Sequence, residues 1–92
     1  MQAPTTHLLY LHGFRSSPRS FKAQRLHAWL RSHRPEVQWC CPQLPPSPRA
    51  AWRLIEQLSA DWPRATSAVV GSSLGGFYAT ATAEHLGCAA VA

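Results

Sequence analysis

A glycine-rich segment between an apolar pair and a helical pattern constrains the fold of this chain more than any other. Val69 and Val70 lead into Gly71-Ser72-Ser73-Leu74-Gly75, which has the pattern G-x-S-x-G. This pattern predicts a sharp strand-to-helix turn that projects Ser73 above the edge of a sheet. Side chains two residues before and two after that serine would collide, which explains Gly71 and Gly75. The simpler alternative is a glycine-rich turn with ordinary serines.

Apolar segments of strand type alternate with helical patterns along the whole chain. The predicted strands are His7–Leu11 and residues 37–41, 67–70 and 88–92. Strands that alternate with helices predict an α/β fold with a parallel sheet, here of about four strands and three helices.

The three predicted helices have recognisable caps and apolar faces. The first is expected to start with Ser17 as N-cap and Pro18 at its first position, and the second uses Ser47 and Pro48 in the same way. Gly87 suits the end of the third helix. The expected inward positions are Leu26, Trp29, Leu30 and His33, then Ala51, Leu54, Ile55, Leu58 and Trp62, and finally Leu74, Phe77, Tyr78, Ala81 and His85.

A doubly wound order would place the first strand in the centre, with the second strand on one side and the third on the other. The switch point then lies between the first and third strands, where ligands bind in open α/β sheets. Right-handed crossovers would put the first helix on one face of the sheet and the other two on the opposite face. One helix covers about two strands, so residues 68–70 and 88–92 should both keep an apolar face bare on the side of the first helix.

The loop after the first strand is expected to complete an acyl-transfer site beside Ser73. The tetrahedral intermediate needs two backbone N–H donors, and we assign them to Leu74 and Phe14. Gly13 permits a close approach of the loop, and His12 is assigned to positioning that loop rather than to acting as a base. Arg15 is a candidate for binding an anionic part of the substrate, such as the phosphates of an acyl-CoA.

Composition narrows the remaining classes of function. The net charge is +5, but the nine basic residues are scattered along the sequence, so we expect no nucleic-acid partner and no membrane partner. The chain contains three cysteines, Cys40, Cys41 and Cys88, of which the first two are adjacent. An odd number with this spacing fits neither a disulfide framework nor a metal site. Reduced thiols, a cytoplasmic location and the absence of metal or cofactor are the expectations.

Four segments together resemble the YqiA-like family of small bacterial α/β-hydrolase esterases. They are Leu9-Tyr10-Leu11-His12-Gly13-Phe14, Ser16-Ser17-Pro18, Pro42-Gln43-Leu44-Pro45-Pro46 and Gly71-Ser72-Ser73-Leu74-Gly75-Gly76-Phe77-Tyr78-Ala79. The resemblance covers nearly the whole chain. It implies an α/β-hydrolase-type sheet and hydrolysis of a small carboxylic ester or thioester, with Ser73 as nucleophile.

The chain lacks a base for that nucleophile. His85 lies twelve residues after Ser73 on the same predicted helix, or roughly 18 Å along its axis. In the family that the chain resembles, the acid and base of the triad follow later strands. We therefore interpret residues 1–92 as the N-terminal half of one domain, inactive without the second half. The alternative is a non-catalytic α/β module that binds an anion or phosphate at the helix N-terminus.

Overall fold

The computed structural model describes residues 4–13, 19–71, 74–87 and 89–91. The elements in chain order are β1 (His7–Leu11), α1 (Phe21–His33), β2 (Gln38–Cys40), α2 (Pro48–Ser59), a short 3-10 turn (Arg64–Thr66), β3 (Ser67–Gly71), α3 (Leu74–Leu86) and β4 (Ala89–Val91). The four strands form one parallel sheet in the order β2-β1-β3-β4. This arrangement confirms the α/β fold and the central position predicted for the first strand.

The helices divide between the two faces of the sheet as predicted. The core on one face joins β1 and β3 to α2, α3 and the loop before α2, through Leu9, Leu11, Leu44, Ala51, Ile55, Val69, Tyr78 and Ala79. On the other face, His27 of α1 stacks on Trp39 of β2 with ring centroids 4.9 Å apart. Tyr10 of β1 stacks on the same indole at 5.7 Å, so α1 packs against the opposite side from α2 and α3.

The face of β3 that lies on the α1 side is less well covered. Along this strand Ser67, Val69 and Gly71 are buried, whereas Ala68 and Val70 are half-buried. One helix beside β1 and β2 does not extend across β3, which is the physical reason for the alternation. The apolar face predicted to be bare therefore shows partial exposure at these two positions.

The first helix starts later than the sequence suggested. Ser17 and Pro18 lie outside the described residues, and α1 begins at Phe21, where the side chain of Ser20 accepts a hydrogen bond from the Ala23 N–H. An N-cap serine accepts a hydrogen bond from an N–H two or three residues further along the chain, and in α1 that serine is Ser20. The prediction that Ser17 is the cap is therefore wrong.

The inward face of α1 also differs from the expected one. Ala23 and Leu30 are buried and Leu26 is half-buried, but Trp29 and His33 are exposed. The Trp29 and His33 rings stack on each other at 4.4 Å along the outside of the helix. An i,i+4 aromatic pair has the same spacing whether it faces the core or the solvent, so the periodicity did not separate the two cases.

Helices α2 and α3 contain smaller departures from the sequence pattern. Ser47 caps α2 as predicted, accepting from the Ala50 N–H. The buried position in its last turn is Ser59 rather than Leu58. The Ser59 hydroxyl donates to the Ile55 carbonyl at 2.7 Å, which satisfies this buried polar group. Gly87, with φ of +71°, follows α3 in the left-handed region, as the predicted helix end requires. His85 is exposed rather than inward.

Candidate functional site at the carboxyl edge of the sheet

The carboxyl ends of β1 and β3 lie side by side. The two strands are paired in register from His7 opposite Ser67 to Leu11 opposite Gly71. The segment that begins at His12 and the segment that follows Gly71 therefore leave the same edge of the sheet from adjacent strands. This is the switch point of the sheet, because β2 lies on the far side of β1 and β4 lies beyond β3.

Two residues separate β3 from α3 in the sequence. The strand ends at Gly71 and the helix begins at Leu74. Residues 72 and 73 lie outside the described residues, as do Phe14 and Arg15. The predictions that Ser73 is the nucleophile, Phe14 an oxyanion donor and Arg15 a substrate contact therefore stay predictions.

The backbone of α3 places the other predicted donor at the start of the helix. Leu74 is the first residue of α3 and Gly75 is the second. The first N–H groups of a helix have no acceptor within the helix and form the positive end of its dipole. The Leu74 N–H is therefore of the kind that an oxyanion hole requires, next to the predicted nucleophile.

His12 is a buried histidine whose two ring nitrogens both have backbone partners. Its Nε2 accepts a hydrogen bond from the Leu44 N–H at 2.9 Å. Its Nδ1 lies 2.9 Å from the Gly13 carbonyl oxygen, which can only accept, so Nδ1 carries the proton. The residue is 5% exposed.

This hydrogen bonding determines what His12 can do. A general base needs a free lone pair within reach of the nucleophile, and the Leu44 N–H already uses the lone pair on Nε2. The ring instead ties the segment after β1 to the loop after β2. The geometry suits the predicted role of positioning the loop that contains Gly13.

Leu44 is a site residue that the sequence interpretation missed. In the sequence, Pro42-Gln43-Leu44-Pro45-Pro46 contributes only to the family resemblance. In the structure the Leu44 side chain is 8% exposed within the core, and its N–H reaches His12. One feature of the sequence could have indicated this role. Leu44 is the one large apolar residue of this segment, and it has a backbone N–H, which the neighbouring prolines lack.

Thiols near the same edge are poor alternative nucleophiles. Cys40 ends β2 and Cys41 follows it, and both are free and half-buried. Burial raises the pKa of the Cys40 thiol. Burial, with a smaller contribution from Cys40, raises the pKa of Cys41 to about 11. Since the thiolate is the reactive form, burial makes both thiols less reactive than exposed thiols at neutral pH.

Histidines and carboxylates elsewhere in the described residues lie away from this edge. His85 Nε2 is 3.8 Å from Glu56 Oε2, in an exposed contact between α3 and α2. His7 packs against Trp62 at the amino end of β1. Within residues 4–13, 19–71, 74–87 and 89–91 there is no group of three side chains suited to a metal ion.

A parallel sheet, helices on both faces and a glycine-lined switch point define a doubly wound α/β protein. Residues 7–92 match the model of the uncharacterised protein family UPF0227, and the chain belongs to that family. The match confirms the resemblance to the YqiA-like family. In the described part of the chain, every helix is too short or too polar to cross a bilayer.

Proposed function

We propose that the protein is a serine hydrolase that cleaves carboxylic esters or thioesters through an acyl-enzyme on Ser73. One observation carries the proposal. The in-register pairing of Leu11 with Gly71 makes the segment that begins at His12 and the segment that follows Gly71 leave the same edge of the sheet from adjacent strands. A nucleophile and a second oxyanion donor from the loop after β1 need this adjacency.

The proposed chemistry follows from the groups at this edge. Ser73 Oγ attacks the carbonyl carbon, and its proton passes to a histidine base. The N–H groups of Leu74 and Phe14 stabilise the oxyanion, each donor contributing roughly 10²–10³ in rate. The alcohol or thiol leaves with that proton, and water then hydrolyses the acyl-enzyme to the carboxylic acid and free Ser73.

The base and its orienting acid are part of the proposal. Among the described residues, the one histidine at the carboxyl edge is His12, and its lone pair is already used by Leu44. We therefore assign the triad histidine and aspartate to sequence beyond residue 92. For the same reason, we expect the 92-residue chain alone to show no turnover above the residual effect of binding and an oxyanion hole.

The test is active-site labelling of the full-length protein with a fluorophosphonate, which reacts with an activated serine. We expect labelling of the native protein and of Ser72→Ala, and none of Ser73→Ala. Hydrolysis of p-nitrophenyl acetate and of an acyl-CoA should be lost in Ser73→Ala and retained in Ser72→Ala. The adjacent serine is a matched control because it differs by one position in the same turn.

Two outcomes would overturn this function. Turnover by Ser73→Ala close to that of the native protein would remove Ser73 from the chemistry. Saturable phosphate binding without fluorophosphonate labelling would instead support the anion-binding module.

A further inference from the structure

The outward side of α1 exposes two large aromatic residues. The Phe21 side chain is 73% exposed and Trp29 is 52% exposed, against 37% for Leu58, the next most exposed large apolar residue among those described. Phe21 and Trp29 are eight residues apart, which is roughly 12 Å along a helix. Arg25 lies between them, and its guanidinium carbon is 5.4 Å from the centre of the Phe21 ring.

The exposed surface of α1 is also strongly basic. The sequence of α1 contains no aspartate or glutamate, and Lys22, Arg25 and Arg31 are all exposed. At roughly 100° per residue, Arg25 lies between Phe21 and Trp29 around the helix. Lys22 and Arg31 lie on the two opposite flanks of this aromatic strip. We call Phe21, Lys22, Arg25, Trp29 and Arg31 the α1 outer face.

We propose that the α1 outer face is a peripheral docking surface for an anionic lipid bilayer. Aromatic side chains are favoured at the boundary between headgroups and acyl chains. Lysine and arginine beside them are attracted to anionic headgroups. A helix whose exposed side combines both lies in the plane of the interface.

The geometry of the face favours a bilayer over a folded protein partner. A helix of 13 residues is roughly 20 Å long, and one convex side of it offers a few hundred Å². A specific protein interface buries roughly 800 Å² on each partner and requires complementary shape. A bilayer adapts to a convex surface and requires neither.

The ring contacts also argue against single-stranded nucleic acid. Binding by base stacking needs open ring faces. Arg25 already lies over Phe21, and His33 is stacked on Trp29 with an interplanar angle of 11°. One face of each ring is therefore already occupied, although both residues remain more than half exposed.

The expectation of no membrane partner rested on basic residues that are scattered along the sequence. The structure places Trp29 outside and groups three of the cations on one helix. This surface lies on α1, and the proposal does not depend on hydrolase activity.

The experiment is co-sedimentation of the full-length protein with vesicles. One set is phosphatidylcholine alone, and the other contains roughly one third phosphatidylglycerol, which supplies the negative surface potential. We expect binding to the anionic set only, weakening as salt is raised from about 0.05 M to about 0.5 M because the attraction is screened. Brominated lipid should quench part of the tryptophan emission, and Trp29→Phe should abolish that part.

Matched variants separate this surface from general basic charge. Lys22→Ala with Arg31→Ala should weaken binding about 25-fold, since each cation near the surface contributes about fivefold. Arg49→Ala with Arg53→Ala removes the same charge from exposed positions of α2 and should leave binding nearly unchanged. Phe21→Ala should weaken binding roughly tenfold, whereas Leu58→Ala should not. Circular dichroism verifies that each variant is folded.

Three results would overturn the proposal. Equal losses in the α1 and α2 charge variants would show adsorption through net charge alone. Quenching that persists in Trp29→Phe would place the contact elsewhere. Absence of anionic vesicle binding would also overturn it, and salt-sensitive binding to polyuridylate through the same α1 residues would then identify a nucleic-acid surface instead.

Discussion

The His12 imidazole and the Leu44 backbone are joined by a hydrogen bond of 2.9 Å, in which the Leu44 N–H donates to Nε2. The two residues follow adjacent strands, β1 and β2, at the same edge of the sheet. Both are buried, so neither group can exchange its partner for water without opening the loops. The bond therefore fixes the position of the Gly13 segment relative to the proline-rich loop.

Replacing His12 tests this connection. His12→Ala leaves the buried Leu44 N–H unpaired, and we expect a loss of about 2 to 3 kcal/mol in the free energy of unfolding. His12→Gln can place a side-chain oxygen near the position of Nε2, so it should retain more of that stability. Urea denaturation measures both values.

The same variants distinguish positioning from acid-base chemistry. If His12 only holds the loop, His12→Gln should keep most of the esterase kcat that His12→Ala loses, with a pH profile of unchanged shape. Equal stability losses in the two variants would show that the bond to Leu44 contributes nothing.

Gly75 provides a test of the turn itself. The sharp strand-to-helix turn predicted from G-x-S-x-G leaves no room for a branched side chain at Gly75. Gly75→Val should therefore clash across the turn, in addition to any effect on the first turn of α3. We expect a marked fall in Tm and loss of activity, and a smaller effect for Gly75→Ala, which adds a single methyl group. If Gly75→Val had the Tm and activity of the native protein, the predicted sharp turn would be wrong.

The strand order followed from the sequence because topology depends on coarse features. Alternating strands and helices, a glycine-rich turn at Gly71 and proline and glycine at the element ends were enough for the central β1 and the division of helices between faces. These features act through chain connectivity and handedness, and they tolerate errors of a few residues.

The orientation of individual side chains did not follow, because it depends on packing. Trp29 was expected inside, but Ala23 and Leu30 occupy the inward side of α1. The hydrogen bond between the Leu44 N–H and His12 could not be predicted either, since the two residues are 32 positions apart. Contacts of this kind depend on the distances between helices, strands and loops in the folded protein. The spacing of apolar residues along the sequence does not specify those distances.

The raised thiol pKa values predict slow alkylation. In the native protein Cys41 has a pKa of about 11, so at pH 8 its thiolate fraction is about a hundredfold below that of an ordinary thiol. The higher nucleophilicity of a basic thiolate recovers roughly tenfold of this. Fragment-ion mass spectrometry follows the alkylation of this cysteine separately from that of Cys40 and Cys88. We expect iodoacetamide to react about tenfold more slowly with native than with urea-unfolded protein, and equal rates would contradict the burial of this thiol.

The same shift gives a pH dependence of stability. A folded-state pKa above that of the unfolded chain means that the native state holds its proton longer. The contribution of Cys41 is therefore complete below about pH 9 and is lost as the pH rises to about 11. The free energy of unfolding should fall over this range, and less so in Cys41→Ala, as urea titrations at successive pH values would measure.

Two buried hydroxyls should respond in opposite directions to removal. The Ser59 hydroxyl donates to the Ile55 carbonyl at 2.7 Å, so Ser59→Ala should lower the free energy of unfolding by about 1 kcal/mol. Thr82 Oγ1, on α3, is buried without a hydrogen-bond partner among the described residues. Thr82→Val has nearly the same shape and removes an unsatisfied polar group, so it should raise that free energy by about 1 kcal/mol. Urea denaturation at equal m-values compares the two, and a loss on Thr82→Val like that on Ser59→Ala would mean that the threonine hydroxyl has a partner in the folded protein.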